Sequence, residues 1–180
     1  FGFVWASSLA AEQRIDRTVD ASGSGTVTIE CLAGKLEIVG WNRNEVQISG
    51  TIGDDAEIEI DGGDDVDIEI SPSERKHNRD MQIKADLEIR VPSDSSIEIE
   101  GLSVMTRVSG VNGDVDIESM SGDIYLDGNF PKVDVENISG KTTITGSSSR
   151  IDAETVSGTL IIDGVTDSVV ASAVSGKIEI

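Results

Sequence analysis

The sequence has little cysteine, proline, histidine or aromatic content. Among 180 residues there are one Cys, three Pro and one His, and aromatic residues make up 3%. Because Cys31 has no second cysteine to pair with, an internal disulfide is excluded, and we expect a small buried hydrophobe in the strand 27–31. With so few aromatic residues, the core must come from Val, Ile and Leu, and this composition favours β-strands.

Positive charge is also scarce, since 14 Lys and Arg stand against 34 Asp and Glu, a formal net charge of −20. Such a surface repels phosphate groups, so we expect no binding to nucleic acid or to anionic lipid. It suits solvation, divalent cations or a basic partner. The hydrophobic fraction of 37% is too high and too regularly placed for a disordered acidic tail.

The first eleven residues (FGFVWASSLAA) are small and apolar, unlike the rest of the chain. They resemble the end of the hydrophobic region of a signal peptide, with Ser8-Leu9-Ala10 as the small-x-small cleavage site. The alternative is a native first strand or helix. Eleven residues are too few to span a bilayer, so no membrane insertion is expected. We predict an exported protein (periplasm, outer surface or secreted), with residues 1–11 a signal-peptide remnant and residues 12–24 a polar lead-in.

Between residues 25 and 70 the chain alternates apolar and polar residues with a period of two, and Gly, Asp and Asn separate the runs. This pattern predicts short strands joined by turns. Residues 71–80 (SPSERKHNRD) interrupt the alternation with a charged run, which predicts a solvated loop. His77 lies in that loop without a second His to share a metal, so we interpret it as a loop residue and not as a metal ligand.

The C-terminal half repeats every eighteen residues. Ser-Gly pairs recur with this spacing, at Ser121-Gly122, Ser139-Gly140, Ser157-Gly158 and Ser175-Gly176. Apolar columns keep the same spacing: Val133, Ile151 and Val169; Val135, Ala153 and Ala171; Ile138, Val156 and Val174. The unit extends back over residues 103–120, where Met120 falls in the last of these columns. One unit cannot bury its inward row alone, but units stacked about 4.8 Å apart bury it against each other.

The repeat predicts an all-β chain in which residues 25–180 form one parallel β-helix, or β-solenoid. Its eighteen-residue coils are regular over residues 103–180 and follow a more irregular N-terminal β part. Glycines are expected at the corners, where they accept positive φ. The last residues fall midway through a coil, so we expect a chain truncated at the C-terminus, with an uncapped edge open to strand addition.

Four units of the form (V/I/M)-S-G-(D/K/T)-(I/L), at 120–124, 138–142 (where Thr142 takes the last position), 156–160 and 174–178, carry a family resemblance, as does the segment 34–48 (GKLEIVGWNRNEVQI). They resemble the bacterial putative adhesin family of the DUF4097 type, and the resemblance covers about residues 25–180. It implies a β-helical fold, with right-handed winding, and an envelope or surface location. It implies no established catalytic residues, so none is carried over to this chain.

Two columns of acidic residues are expected to face outward at the same spacing: Glu98, Asp116, Asp134 and Asp152, and beside them Glu100, Glu118, Glu136 and Glu154. In register, each carboxylate would lie about 4.8 Å from its like neighbours, at roughly 0.9 kcal/mol per contact in water before screening. Lys132 and Arg150 offset part of this repulsion. The columns are either a solvated acidic face or a place where Ca²⁺ bridges neighbouring carboxylates. No other cofactor is indicated.

Catalysis has little support in the sequence. The acidic residues obey the repeat, as structural face residues do, whereas a catalytic residue should differ from its equivalents in neighbouring units. The chain has no Gly-x-Ser-x-Gly motif and no Cys/His pairing. Three aromatic residues, Trp41, Tyr125 and Phe130, are candidates for contact with a ligand, although Trp41 is better interpreted as a cap on the core.

The sequence therefore favours a non-enzymatic envelope or secreted protein that acts as an adhesin-like binding module for an unidentified protein or surface polymer. The alternative is a structural scaffold that self-associates by stacking through its solenoid edges. A third hypothesis is an enzyme acting on acidic polysaccharides, because paired carboxylates can serve as acid and base on such substrates.

Overall fold

The computed structural model describes residues 12–73 and 83–180, which form ten β-strands. The strands are β1 (Glu12–Asp20), β2 (Thr26–Trp41), β3 (Glu45–Gly53), β4 (Ala56–Asp61), β5 (Val66–Pro72), β6 (Ala85–Pro92), β7 (Ser96–Ser109), β8 (Val115–Ser121), β9 (Ile124–Ala173) and β10 (Lys177–Glu179). They make one open sheet, so the all-β prediction is confirmed. Over the described ranges, no helix is long and apolar enough to cross a membrane.

The strands arise from alternation of apolar and polar residues, as β8 illustrates. Val115 and Ile117 are buried, whereas Asp116 and Glu118 between and after them are exposed. Because successive side chains of a strand point to opposite faces, this period of two lets one face enter the core while the other meets water. The core is built from such inward rows of Val, Ile and Leu.

The register of the sheet follows the eighteen-residue spacing from β7 onward. Val115 pairs in parallel with Ile97 on one side and with Val133 on the other. At the far end, Ile178 pairs in parallel with Leu160. Residues that occupy one column of the sequence repeat are therefore neighbours across the sheet.

The N-terminal part departs from this spacing because β2 lies in the middle of the sheet. One side of β2 pairs in parallel with β7, and the other side pairs in parallel with β5 and β6. Beyond β6, β3 and then β1 continue the sheet in antiparallel fashion, and β4 pairs antiparallel with β5. Strands β3 to β6, which follow β2 in the sequence, thus lie on one side of β2, and β7 lies on its other side.

Several predictions concern the N-terminal half. The stretch 12–24, interpreted as a lead-in, contributes β1 to the sheet, because Ile15 is buried and the strand pairs with β3 along its length. Cys31 is free and buried, as expected, and burial raises the pKa of its thiol to about 11. Residues 71 and 72 belong to β5. The signal-peptide remnant 1–11 and most of the charged loop, including His77, lie outside the described residues.

The recurring glycines allow backbones to approach closely. A Cβ atom on Gly146 would lie 1.9 Å from the carbonyl oxygen of Gly128, and one on Gly164 would lie 1.9 Å from the carbonyl oxygen of Gly146. Gly146 also has a φ of 112°, in the region that side chains resist. The sequence analysis expects glycines at these corners because glycine accepts a positive φ. The contact with the neighbouring backbone is a second reason, and it applies also to Gly164.

The close approach at Gly146 can be tested by substitution. We expect Gly146→Ala to lower the free energy of unfolding by about 2 kcal/mol or more, because the methyl group meets a backbone oxygen and the φ is strained. The measurement is the midpoint of urea unfolding. Gly63→Ala is the matched control, since its Cβ would meet no heavy atom closer than 3.6 Å. Equal effects of the two substitutions would contradict this explanation.

Candidate functional site

A groove of about 520 Å³ crosses five neighbouring strands, β5, β2, β7, β8 and β9. Its two walls come from a short pattern shared by β2, β7, β8 and β9, an outward acid followed two residues later by an apolar residue. In β5 the acid is present as Glu69, but Ser71 stands at the second position. The acidic wall consists of Glu69, Glu30, Glu100, Glu118 and Glu136, and the apolar wall of Leu32, Leu102, Met120 and Ile138. The period of two of a strand places both on the same side, and the sheet register lines them up from strand to strand.

The five glutamates of the acidic wall form one column through the sheet. Glu30 pairs with Glu69 on one side and with Glu100 on the other. The column then continues from Glu100 to Glu118 and from Glu118 to Glu136. Three of the four glutamates predicted for this column therefore line the groove, and two more from β2 and β5 join them. The sequence repeat did not reveal these two, because β2 and β5 lie outside the eighteen-residue spacing.

This column differs from its neighbour in how its charge is balanced. In the adjacent column, Lys132 lies 3.2 Å from Asp134 and Arg150 lies 3.0 Å from Asp152. Within the described part of the chain, no ion pair engages any of the five glutamates of the groove. The predicted role of Lys132 and Arg150 in offsetting repulsion thus holds for one acidic column. The groove column receives no such cation from residues 12–73 and 83–180.

The apolar wall corrects one feature of the sequence analysis. The sequence analysis counts one further column among the apolar columns of the repeat. This column consists of Met120, Ile138, Val156 and Val174. The structure turns this column outward, with exposures of 46% for Leu102, 52% for Met120 and 46% for Ile138. The signal was present in the sequence, because each of these residues lies two positions after an acid assigned to the outer face. In a strand, positions separated by two share a face.

The column Glu98, Asp116, Asp134 lies in register beside the groove column. The pKa of Asp116 is raised, first because the carboxylate is partly desolvated and second because Asp134 lies close, while Lys132 opposes the shift. The pKa of Lys132 is raised chiefly by its hydrogen bond to Asp134 and by the charge of that carboxylate. The expected repulsion between stacked acids is therefore present at Asp116.

The sequence predicts calcium binding as one of two roles for the acidic columns. In residues 12–73 and 83–180, no group of three or more His, Cys, Asp or Glu side chains is placed to hold a metal ion. Ca²⁺ usually takes about six to eight oxygen ligands, whereas each column supplies one carboxylate per strand. Calcium binding by Glu98, Asp116, Asp134, Asp152 or by Glu100, Glu118, Glu136, Glu154 stays a prediction.

Of the three aromatic candidates, Phe130 is a correction. Its side chain is 3% exposed and packs in the core, so it offers no surface to a ligand. Gly128 makes room for the ring, since a Cβ atom there would lie 2.9 Å from its Cζ atom. A large apolar ring near a glycine can turn inward, and the sequence pattern around Phe130 did not reveal this.

Trp41 and Tyr125 are partly exposed, but side chains of the protein already cover their rings. The indole Nε1 of Trp41 donates to the carbonyl oxygen of Glu45 at 2.9 Å, and the guanidinium of Arg43 lies 4.9 Å from the ring centre. The guanidinium of Arg107 lies 5.1 Å from the ring centre of Tyr125. Such cation–π contacts occupy the ring faces that a ligand would need. Neither residue lines the groove.

Comparisons with known proteins inform the fold. No protein-family model matches the sequence, and no curated protein matches it. The structure is similar to that of a putative cell adhesion protein from Clostridium sporogenes, with a TM-score of 0.60 and 14% identity over 93% of this chain and 98% of the other. A putative adhesin from Bacteroides fragilis gives a TM-score of 0.47 and 14% identity over 94% and 98%. The first similarity shows a shared fold, and the second is too distant to support an inference.

The raised pKa of Asp116 predicts that its charge opposes folding. The penalty is absent below the unfolded pKa of the carboxyl and grows as pH rises through the higher folded pKa. We therefore expect Asp116→Asn to raise the Tm at pH 7 by about 1–2 °C at low salt. The gain should shrink in 0.5 M NaCl (about a 4 Å screening length) and at acidic pH. Thermal unfolding followed by circular dichroism measures it.

Asp134→Asn is the matched control for this prediction, because it removes a neighbouring carboxylate of the same column together with the partner of Lys132. We expect no gain in Tm from that substitution. A lowered Tm for Asp116→Asn at pH 7 would show that the carboxylate stabilises the fold, against the direction of its pKa.

Proposed function

We infer that the parallel pairs at eighteen-residue spacing wind as a β-solenoid of the DUF4097 type. The pairs Ile97–Val115 and Val115–Val133 support this fold, as do the glycine columns that let one backbone approach the next. Right-handed winding is the expectation from the family resemblance, and it agrees with the general preference for right-handed connections between parallel strands. Three strands, β1, β4 and β10, each pair with a single other strand and so lie at edges of the sheet.

We propose that the chain is an exported, non-enzymatic binding module of adhesin type, and that the groove is its binding surface. The main support for this proposal is the apolar wall, which exposes Leu102, Met120 and Ile138 in one continuous row. Single exposed apolar residues are ordinary on protein surfaces, but aligned rows with a polar rim are typical of interaction sites. Here the rim is a column of glutamates that form no ion pair with any residue the structure describes.

Three further features support this function. The similar structure from Clostridium sporogenes is of a protein named for cell adhesion. The apolar start of the sequence fits an exported protein. The acids of both columns recur at equivalent positions in successive strands, so none is distinguished from its neighbours as a catalytic acid or base would be. We propose an envelope or surface location, which the name of the similar structure and the apolar start of the sequence support.

An adhesion assay tests the function. The chain is displayed on a heterologous bacterium, and retention is counted on surfaces coated with proteins, glycans, lipids or the chain itself. We expect retention on at least one coating other than the chain itself. It should fall at least about fivefold with Met120→Asp and Ile138→Asp together, since two charges then interrupt the apolar wall.

The matched control places the same two charges on an outward face away from the groove, by Thr145→Asp and Ser147→Asp. These residues are exposed or partly exposed and do not line the groove. Unchanged display and unfolding midpoints for both variants exclude misfolding. Retention on the self-coated surface alone would support the scaffold alternative and contradict the binding module, as would equal losses for the two variants.

A further inference from the structure

We propose that the groove binds an extended cationic polypeptide segment in which Lys or Arg residues alternate with apolar residues. This inference rests on the proposed function and names the class of partner. It is carried by the combination of two walls of different chemistry, an acidic wall along five strands and an apolar wall beside it along four of them.

The acidic wall calls for a partner with several positive charges in a row. Five glutamates stand in register from Glu69 to Glu136, and parallel strands lie about 4.8 Å apart. The neighbouring column shows that the protein can supply cations of its own, since Lys132 and Arg150 each pair with an aspartate there. The groove column has no such partner among the described residues. A ligand with spaced positive charges relieves the repulsion between these glutamates, and a neutral or anionic ligand does not.

The apolar wall excludes a partner that is only a cation. Leu102, Met120 and Ile138 expose about half of their surface, and Leu32 continues their row onto β2. A polyamine or metal ion would leave this surface in water. A bound segment must therefore bring apolar side chains, and the flexible, polarizable side chain of Met120 can adapt to their shapes.

The groove also lacks what a glycan would use. Among the residues described by the structure, no aromatic side chain lines it. Binding through added β-strand hydrogen bonds is disfavoured as well, because the main chain of the apolar wall is engaged. The carbonyl oxygen of Leu102 accepts from the Ser121 hydroxyl at 3.1 Å, and that of Met120 accepts from the Ser139 hydroxyl at 3.4 Å. The groove therefore offers side chains to a segment that runs across the strands.

The dimensions fit a short extended peptide. Five strands spaced by about 4.8 Å span about 19 Å between the first and the last. An extended polypeptide advances by about 3.3 Å per residue, so about six residues cover the groove. With alternating side chains, about three positive charges would face the glutamates and about three apolar groups would face the other wall.

Fluorescence anisotropy with labelled peptides tests the proposal. The probe is an acetylated hexapeptide of alternating Lys and Val, compared with an alternating Glu and Val peptide and an alternating Lys and Ser peptide. We expect the Lys-Val peptide to bind at least about tenfold more tightly than either comparison peptide, and its affinity to fall as NaCl rises from 20 to 200 mM. Failure of the Lys-Val peptide to bind overturns the proposal.

A pair of double variants locates the site. Glu100→Gln with Glu118→Gln removes two charges from the groove, and we expect about five- to tenfold weaker binding. Glu98→Gln with Asp116→Asn removes the same charge from the same strands but from the neighbouring column, and we expect less than about a twofold change. Equal losses for the two variants would show general attraction to an acidic protein and overturn the groove as the site.

Two other probes distinguish other classes of partner. Tighter binding of a cationic amino-sugar oligomer of similar charge overturns the polypeptide in favour of a glycan. Tighter binding to vesicles of zwitterionic and cationic lipid overturns it in favour of a membrane surface.

The adhesion assay and the peptide assay together separate the two proposals. If adhesion depends on Met120 and Ile138 while the Lys-Val peptide does not bind, the proposed partner class is wrong and the proposed binding module stands. If neither assay responds to groove variants, the proposed function fails as well.

Discussion

Parallel, in-register pairing between residues eighteen positions apart is the constraint on which the rest of the structure depends. It brings each side chain next to its equivalent in the neighbouring strand. Apolar contacts, charges and close backbone approaches of one unit are therefore repeated along the sheet. For the inward rows this repetition stabilises the fold, because neighbouring side chains such as Val115 and Val133 bury each other's apolar surface. Where backbones must approach, only glycine fits, as at Gly146 and Gly164.

The same constraint creates the surface chemistry. Like charges that would be scattered on another fold are stacked here, and the pKa of Asp116 is raised partly in consequence. One acidic column is balanced by Lys132 and Arg150, whereas the column along the groove is left unbalanced within the described residues. An outward apolar row follows beside it for the same geometric reason. A groove with one charged and one apolar wall is thus a direct product of repeating a short pattern in register.

Much of the fold could be predicted because alternation and spacing are local signals. The strands, the glycine columns and the acidic columns all follow from a period of two within a unit and a period of eighteen between units. The prediction missed features that depend on distant partners. β1 was not expected because the repeat does not indicate its pairing with β3. Phe130 was a candidate for ligand contact, although its ring fills space beside Gly128.

The sequence by itself determined that the chain is all-β and which residues share a column, because both depend only on the order of side chains along the strand. The tertiary structure alone decided which columns meet. Glu30 and Glu69 join the glutamates of the repeat because β2 lies between β5 and β7, a placement that no spacing in the sequence encodes. The groove exists because these strands lie side by side, and an adjacency of distant segments is settled by packing and not by local pattern.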